Sequence, residues 1–206
     1  MKPPLFLALE ALDGVGKTTL ACDLANRLGG VSMDTPGSEL RACSPAVLAA
    51  LGPHQAARCL FYGASVLVAG QRARALVGGG TTVVMDRYWL STISYARARG
   101  VALDVAAIEE VVPPPDVTVL VTLDEQERQR RLRERGCTEA DRETLALEFR
   151  ARVLREMTSL ERALPLRPSF VVDVTGAGRA EAVDRVLAAL SAGRELTSRC
   201  SSAPGT

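Results

Sequence analysis

The sequence predicts an α/β protein with a mainly parallel, five-stranded sheet and helices on both faces. The first observation is that short apolar segments with strand character alternate with longer segments of helical periodicity. The second is that glycine or proline marks many of the boundaries between them, as at Gly29-Gly30 and Gly52-Pro53. Strands that alternate with helices are joined by crossover connections, so they run parallel and lie side by side in one sheet.

Five segments have the apolar character of buried strands: one that begins at Leu5, then Val31–Met33, Thr81–Met85, Asp116–Leu123 and Phe170–Val174. Gly52-Pro53 separates two predicted helices, the second of which covers His54–Val77, and another helix follows Tyr88. Asp104 is the predicted N-cap of a helix over Val105–Val112. Further helices are predicted over Lys17–Leu28, Thr138–Leu164 and Arg179–Leu190. A short arginine-rich helical segment follows the fourth strand.

The composition excludes several classes of protein. A chain of 206 residues with 47% hydrophobic and 24% charged residues fits one globular domain, which we place at residues 1–193, with a flexible tail at 194–206. The formal net charge of +1 gives no general attraction to nucleic acid, and no apolar run reaches the roughly 20 residues of a membrane-spanning helix. The five cysteines lack C-x-x-C spacing and no signal peptide precedes the first strand, which indicates a cytoplasmic protein with reduced thiols.

The first strand leads into a phosphate-binding P-loop. Its sequence, Asp13-Gly14-Val15-Gly16-Lys17-Thr18-Thr19, places a glycine-containing turn and Gly-Lys-Thr at the start of a helix. Successive backbone N–H groups and the helix N-terminus there can bind the phosphates of ATP. We expect Lys17 to reach the β- and γ-phosphates and the Thr18 hydroxyl to bind Mg²⁺. The common P-loop pattern, G-x-x-x-x-G-K-[ST], begins with glycine, whereas this chain has Ala11 at that position.

Polar residues end the neighbouring strands at the same edge of the predicted sheet. Asp34 and Thr35 follow the second strand, and Asp86 and Arg87 follow the third. The carboxyl ends of parallel strands are where open α/β sheets bind their ligands. Asp86 is a candidate for binding Mg²⁺ through water, and Arg87 for neutralising phosphate charge during transfer.

In their order and spacing, these motifs resemble the thymidylate kinase family over about residues 5 to 190. The segments that carry the resemblance are ALDGVGKTT, LFYGAS, DRYWLSTISY, PDVTVLVTLDEQERQRRLRERG and DRETLALEFRARV. The resemblance implies a P-loop kinase fold with a mobile, arginine-rich lid over about residues 128–142, and possible homodimerisation through the long helices. It also implies that ATP, with Mg²⁺, phosphorylates the 5′-phosphate of a small nucleotide acceptor.

The resemblance also implies roles for individual residues. Asp13 would bind the 3′-hydroxyl of the acceptor sugar, and Phe61 would stack on the acceptor base. Arg87 would hold the acceptor and transferred phosphates, while Tyr88, Ser91 and Tyr95 would line the sugar and base side of the pocket. The candidate lid arginines are Arg131 for binding ATP, Arg133 and Arg135 for catalysis, and Arg142 as a further possibility.

Three departures from the family pattern fall in the acceptor half. Asp34 and Ser65 stand where the family has arginines, and Ala96 stands where it has glutamine. These changes leave alternatives open: a hydroxyl kinase in which Asp34 is a general base, or a nucleotide kinase in which Arg41, Arg72 or Arg74 restores the charge. A P-loop switch protein and a degenerate binding protein are further alternatives, although no Asn-Lys-x-Asp motif occurs and the donor motif is intact.

Overall fold

The computed structural model describes residues 3–102, 110–137, 139–163 and 168–201. Its sheet contains five parallel strands in the order β2-β3-β1-β4-β5, which confirms the predicted α/β architecture. The strands are β1 (Phe6–Glu10), β2 (Val31–Asp34), β3 (Val83–Asp86), β4 (Val117–Thr122) and β5 (Ser169–Asp173). The helices are α1 (Lys17–Leu28), α2 (Ser38–Leu51), α3 (Gln55–Gly78), α4 (Trp89–Ala98), α5 (Glu125–Arg135), α6 (Glu139–Leu145), α7 (Leu147–Ala163) and α8 (Arg179–Ser201).

The core lies around β1, which is the central strand and is buried along its whole length. Helices α1 and α3 both pack against β1, β2 and β3, while α4 packs against α3 and α7. Because all strands are parallel, their carboxyl ends meet at one edge, and Glu10, Asp34 and Asp86 end three adjacent strands there. Within the described ranges, no helix is long and apolar enough to cross a membrane.

One long helix was expected over Thr138–Leu164, but the structure has two helices, α6 and α7, with a bend at Ala146. The bend has a physical cause. The carbonyl oxygen of Thr144, in the last turn of α6, accepts a hydrogen bond of 2.9 Å from Arg128, whose side chain is buried. A buried guanidinium requires such acceptors, and here it takes them from the backbone at the helix end.

The last helix is longer than the predicted Arg179–Leu190 and continues to Ser201. Gly193 is buried inside this helix. A Cβ atom there would lie 2.0 Å from the Phe170 ring, so glycine permits close packing of α8 on β5. The predicted helix start at Asp104 lies outside the described residues, and the proposed division at residue 193 stays a prediction.

Candidate active site

The P-loop connects β1 to α1 through two glycines in the left-handed region. Gly14 has φ 85° and Gly16 has φ 95°, conformations that side chains disfavour. A Cβ atom on Gly14 would lie 2.7 Å from Cγ of Leu132 on α5, so this glycine also permits close packing. The turn ends at Gly16, the N-cap of α1, whose first-turn N–H groups are the expected phosphate donors.

Lys17 is buried at the start of α1, and its Nζ donates a hydrogen bond of 2.7 Å to the carbonyl of Leu12. Burial, reinforced by the nearby charge of Arg87, lowers the pKa of Lys17 to about 7 despite the opposing carboxylates of Asp13 and Asp86. The ammonium group is therefore only partly charged until an anion occupies the loop. A phosphate group would raise this pKa, because an adjacent negative charge favours the protonated form.

Thr18 and Asp86 meet beside Lys17, although 68 residues separate them in the chain. The Thr18 hydroxyl donates to Oδ2 of Asp86 at 2.5 Å. The second carboxylate oxygen, Oδ1, is enclosed and has no hydrogen-bond partner. A buried acceptor without a partner is costly, so a water molecule or a hydrated cation fits this position. Among the described residues, no cluster of three or more His, Cys, Asp or Glu side chains could hold a metal alone.

Arg87 follows β3 in a left-handed conformation, φ 66°, which is uncommon for a residue with a side chain. Hydrogen bonds hold this conformation: its N–H donates to Leu9 O at 2.9 Å, and its carbonyl accepts from the Thr35 hydroxyl at 3.0 Å. Strained backbone of this kind occurs often at functional sites. Here the turn directs the guanidinium toward the P-loop.

Glu10 holds the same turn, the one that carries Arg87, through hydrogen bonds. Its carboxylate is buried and accepts from the backbone N–H groups of Tyr88 at 3.1 Å and Ser91 at 3.2 Å, and also from the Ser91 hydroxyl. These donors belong to the first turn of α4, so a residue of β1 caps that helix. Burial raises the pKa of Glu10, although the Ser91 hydrogen bond and the charge of Arg87 oppose the shift.

Arg87, Asp13 and Tyr95 form a hydrogen-bonded cluster beside the P-loop. The guanidinium donates to Oδ1 of Asp13, the Tyr95 hydroxyl donates to Oδ2 at 3.0 Å, and Arg87 also donates to Ser91 at 3.2 Å. Burial alone would raise the pKa of Asp13, but the charges of Arg87 and Lys17 outweigh burial and lower it. Burial raises the pKa of Tyr95 to about 12, so its hydroxyl remains a donor at neutral pH.

A cavity of about 250 Å³ opens from this cluster and runs between α3 and α4. We call it the acceptor cavity. Its polar lining includes three guanidinium groups, from Arg58, Arg87 and Arg99, but only one carboxylate, from Asp13. The cavity is therefore electrostatically suited to an anion.

A second cavity, of about 260 Å³, lies on the other side of the P-loop. We call it the donor cavity. Gly16, Thr19 and Arg131 line one side, and the loop from Val174 to Arg179 lines the other. A nucleotide whose phosphates occupied the P-loop could extend its base into this space. The sequence reasoning missed the 174–179 loop, although its position after the last parallel strand was a usable signal.

The arginine-rich segment contributes unequally to the site. Arg131 donates to the carbonyl of Val15 at 3.0 Å and lies over the P-loop, whereas Arg133 is exposed. Arg135 is held by Asp141, with both carboxylate oxygens 2.8 Å away. Arg128 is buried and donates to the carbonyl of Asp13 at 2.8 Å, so the first turns of α5 are attached to the P-loop.

The structure brings most of the predicted site residues together, but it places three of them elsewhere. The Tyr88 ring is in the core, 5.1 Å from the Phe6 ring, and its hydroxyl donates to the carbonyl of Pro113. Phe61 is half-buried beside Tyr62, and Tyr62 provides the aromatic ring that lines the acceptor cavity. Asp34 forms an ion pair with Arg41, and its side chain is outside the cavity lining.

Ser65 does line the acceptor cavity, but its hydroxyl is buried and donates to the carbonyl of Tyr62 at 2.7 Å. The residues that the sequence reasoning missed include Glu10, Arg58 and Arg99. A glutamate inside an otherwise apolar strand was a signal for Glu10. For the two arginines there was no signal, since arginines on helices usually face solvent.

Comparison with known proteins decides the family. A model of the thymidylate kinase family matches residues 9–166. The chain belongs to the thymidylate kinase family. A thymidylate kinase from Xylella fastidiosa (strain Temecula1) is 30% identical over 187 residues, with 83% of each chain covered. A probable thymidylate kinase from Archaeoglobus fulgidus is 31% identical over 142 residues, which cover 64% of this chain and 71% of that protein.

Solved structures of thymidylate kinases share the fold. The enzyme from Candida albicans superposes with a TM-score of 0.73 over 93% of both chains, at 20% sequence identity. The enzyme from Ehrlichia chaffeensis gives a TM-score of 0.69 over 92% of this chain and all of that chain. The P-loop kinase fold is thus confirmed, and family membership confirms the predicted activity, that of an ATP-dependent phosphotransferase acting on nucleoside monophosphates.

Proposed function

We propose that this kinase phosphorylates thymidylate or a closely related nucleoside monophosphate bound in the acceptor cavity. The observation that carries the proposal is the charge of that cavity, which has three guanidinium groups against one carboxylate. A phosphate monoester carries close to two negative charges at neutral pH, and it would be attracted to this lining. A neutral nucleoside would bring no negative charge to this lining, in which Asp13 pairs with Arg87 and, from outside the cavity, Glu143 pairs with Arg99.

The position of Asp34 gives no support to a hydroxyl kinase. The Asp34 carboxylate is in an ion pair with Arg41, outside the cavity lining, so it is not placed to take a proton from an acceptor. The other two arginines that could restore the missing positive charge, Arg72 and Arg74, have carboxylate partners outside the cavity lining. Nη1 of Arg72 lies 3.5 Å from Oε2 of Glu39. Arg74 pairs with Asp116, before the start of β4 and so at the opposite end of the strands. Positive charge in the cavity comes from its own arginines instead, and Arg87 beside the P-loop is the candidate for the acceptor phosphate.

For the donor half, we propose that ATP places its phosphates in the P-loop and its base in the donor cavity. The N–H groups of Gly14, Val15 and Gly16 and the ammonium of Lys17 would bind the phosphates. Lys17 must then exchange its hydrogen bond to Leu12 O for one to phosphate, and proton uptake would accompany the exchange. Thr19 and Arg131 would contact the nucleotide from the cavity wall.

Mg²⁺ fits the pair formed by Thr18 and Asp86. The unpartnered Oδ1 of Asp86 would accept from a metal-bound water, and the Thr18 hydroxyl oxygen would bind the ion. The ion would take its remaining ligands from phosphate and water, as Mg²⁺ commonly does, and it would neutralise phosphate charge during transfer.

Transfer also requires positive charge between the two nucleotides. Arg87 lies between the P-loop and the acceptor cavity, and its guanidinium would bind the acceptor phosphate. Asp13 holds Arg87 through Oδ1 and accepts from Tyr95 through Oδ2, and the remaining lone pairs of its carboxylate would accept from a sugar hydroxyl. We propose that Arg131, Arg133 and Arg135 complete the charge stabilisation when the arginine-rich segment closes over ATP.

Dimerisation, cytoplasmic location and the absence of a nucleic-acid partner stay predictions. One feature would suit a dimer: α3 exposes three large apolar side chains, Leu60, Val68 and Leu76, of which successive members are about 80° apart around the helix. Exposed large apolar side chains are common at protein interfaces. Light scattering of the purified protein, with a Val68→Glu variant as comparison, would measure the oligomeric state.

Steady-state turnover with ATP and a panel of acceptors tests the proposed function. The panel contains thymidylate, four other nucleoside monophosphates and thymidine, which offers a hydroxyl in place of the phosphate. We expect kcat/KM for thymidylate to exceed that for thymidine by at least about 100-fold, because only thymidylate compensates the charge of the cavity. Equal or better turnover of thymidine would refute the proposal.

A further inference from the structure

We infer that Arg58 is the residue that reads the acceptor base, and that it selects bases with a carbonyl oxygen at that position over bases with an amino group. The inference rests on the proposed function, since it assumes that a nucleoside monophosphate occupies the acceptor cavity. It begins with the position of Arg58 on α3, where its side chain lines that cavity together with Tyr62.

The acceptor cavity has two ends with different chemistry. At the P-loop end, Arg87, Asp13 and Ser91 form the hydrogen-bonded cluster that suits a phosphate and a sugar. Most of the remaining lining, including Arg58 and the Tyr62 ring, comes from α3 and α4, and Thr35 and Pro36 add to it from the β2–α2 connection. A base attached to a phosphate beside Arg87 would extend into this second part.

Arg58 is the one guanidinium of the acceptor cavity for which the described residues supply no carboxylate partner. Arg87 pairs with Asp13, and Arg99 pairs with Glu143. The Nε of Arg58 is enclosed without a hydrogen-bond partner, and its Nη2 has only a long contact of 3.5 Å with the carbonyl of Leu48. Arg58 is half-buried and lines the cavity, and most of its donors are unused. A hydrogen-bond acceptor bound in the cavity would therefore stabilise its guanidinium.

The other polar side chains around the second part are less able to select a base. The hydroxyls of Ser65 and Thr92 donate to backbone carbonyls of their own helices, at 2.7 Å and 3.1 Å. Gln55 also lines the cavity, but a side-chain amide can offer either its oxygen or its NH₂ group, so it fits both kinds of base. Arginine has only hydrogen-bond donors, so it favours a base that presents an acceptor.

The chemistry of a donor-only group determines the class of base. Thymine, uracil and guanine present a carbonyl oxygen that accepts from a guanidinium, whereas cytosine and adenine present an amino group at the equivalent position. An amino group against Arg58 would set donor against donor and leave both without partners. Discrimination of about 10- to 100-fold is expected from one such contact.

The test compares the parent with Arg58→Met, which keeps much of the side-chain length but removes every donor. The values of kcat/KM are measured with ATP and either thymidylate or deoxycytidylate. We expect the value for thymidylate to fall about 10- to 100-fold through a higher KM, and that for deoxycytidylate to change less than about threefold. Arg72→Met is the matched control, because Arg72 is exposed and outside the acceptor cavity.

A parallel loss with both acceptors would overturn the inference, because Arg58 would then contact a group that all nucleotides share. An unchanged preference for thymidylate in Arg58→Met would also overturn it. Either result leaves the proposed function standing, provided that the parent phosphorylates thymidylate. A parent that phosphorylates no monophosphate refutes the proposed function itself, and the assignment of Arg58 with it. A merely structural role would not alter the ratio between the two acceptors, so the ratio is the deciding measurement.

Discussion

The two halves of the active site are built differently. In the donor half, the backbone sets the geometry: two left-handed glycines form the P-loop, and Lys17 and Asp86 are buried at the ends of core elements. In the acceptor half, side chains set the geometry, since Arg58 and Arg99 reach the cavity from the helices α3 and α4. Side chains on a helix surface can be exchanged without disturbing the sheet, whereas the P-loop cannot change without moving its strand and helix.

This difference predicts where substitutions matter. Changes in the donor half should abolish transfer with any acceptor, and changes in the acceptor half should alter which acceptor is used.

The largest effect is expected for Lys17→Met. Loss of the ammonium group should lower kcat by about 100-fold or more with every acceptor, because it removes charge stabilisation at the transferred phosphate. Thermal stability without nucleotide should change by less than about 3 °C, since burial already makes the charged form of Lys17 unfavourable. Arg27→Met, an exposed change on the same helix, is the control. Near-normal turnover of Lys17→Met would remove this residue from the mechanism.

The next effect concerns Glu10, which joins the two halves by holding the turn that carries Arg87. Glu10→Gln should lower the free energy of unfolding by about 1–3 kcal/mol, because the NH₂ group of glutamine would face a backbone N–H, of Tyr88 or Ser91, that a carboxyl oxygen of Glu10 now accepts. It should also lower kcat, since Arg87 would be less firmly held. Chemical denaturation measures the stability, and Glu134→Gln on the exposed face of α5 is the control. Equal stability of parent and Glu10→Gln would contradict the role of Glu10.

The pH dependence of this substitution follows from the raised pKa of Glu10. A raised pKa in the folded state adds stability below the unfolded value near 4.5, and this contribution is lost as the pH rises through the folded value. Glutamine does not titrate. The stability difference between parent and variant should therefore be larger at pH 4 than at pH 7, and a difference that grew with pH would reverse the assigned direction of the shift.

The sequence predicted the donor half more completely than the acceptor half, for a physical reason. A P-loop requires glycine, lysine and threonine at fixed spacing, so Gly14, Lys17 and Thr18 could be identified from the chain. The parallel five-stranded sheet, with Asp86 at the same edge as the P-loop, also followed from the alternation of strands and helices. The strand order and the hydrogen bond between Thr18 and Asp86 came from the structure alone. Which side chains of a helix face a cavity depends on how the helices pack, and no local sequence pattern specifies that packing.

The positions of particular side chains show the same limit. Tyr88 follows Asp86 and Arg87, but its ring turns into the core because Gly70 of α3 leaves room for it. Tyr62 rather than Phe61 faces the cavity, a difference of one residue and about 100° around the helix. The arginine-rich segment was expected to be a mobile lid over residues 128–142, yet Arg128 is buried against the P-loop. That expectation stays a prediction, and the contacts of Arg128 favour motion that begins after the first turns of α5.

A smaller effect in the donor half is proton uptake when ATP binds. With a pKa of about 7, Lys17 is mostly neutral at pH 8 in the free protein, and the phosphates of ATP should raise that pKa and protonate it. Calorimetry at pH 8 in two buffers with different ionisation enthalpies should show uptake of close to one proton, and Lys17→Met should abolish it. Equal uptake by parent and variant would mean that another group titrates.

The smallest effect is expected for Asp34, which the sequence alone had made a candidate general base. Asp34 and Arg41 form an ion pair whose side chains are 34% and 59% exposed, and exposed pairs of this kind contribute about 0–1 kcal/mol. Asp34→Asn should therefore change kcat/KM for thymidylate less than about threefold, whereas loss of a general base costs about 100-fold or more. The Arg41→Gln variant is the matched control, because it removes the partner charge and leaves the carboxylate in place. A large loss of kcat/KM in Asp34→Asn but not in Arg41→Gln would make the Asp34 carboxylate a candidate general base again. It would also place the acceptor outside the cavity that Arg58 lines.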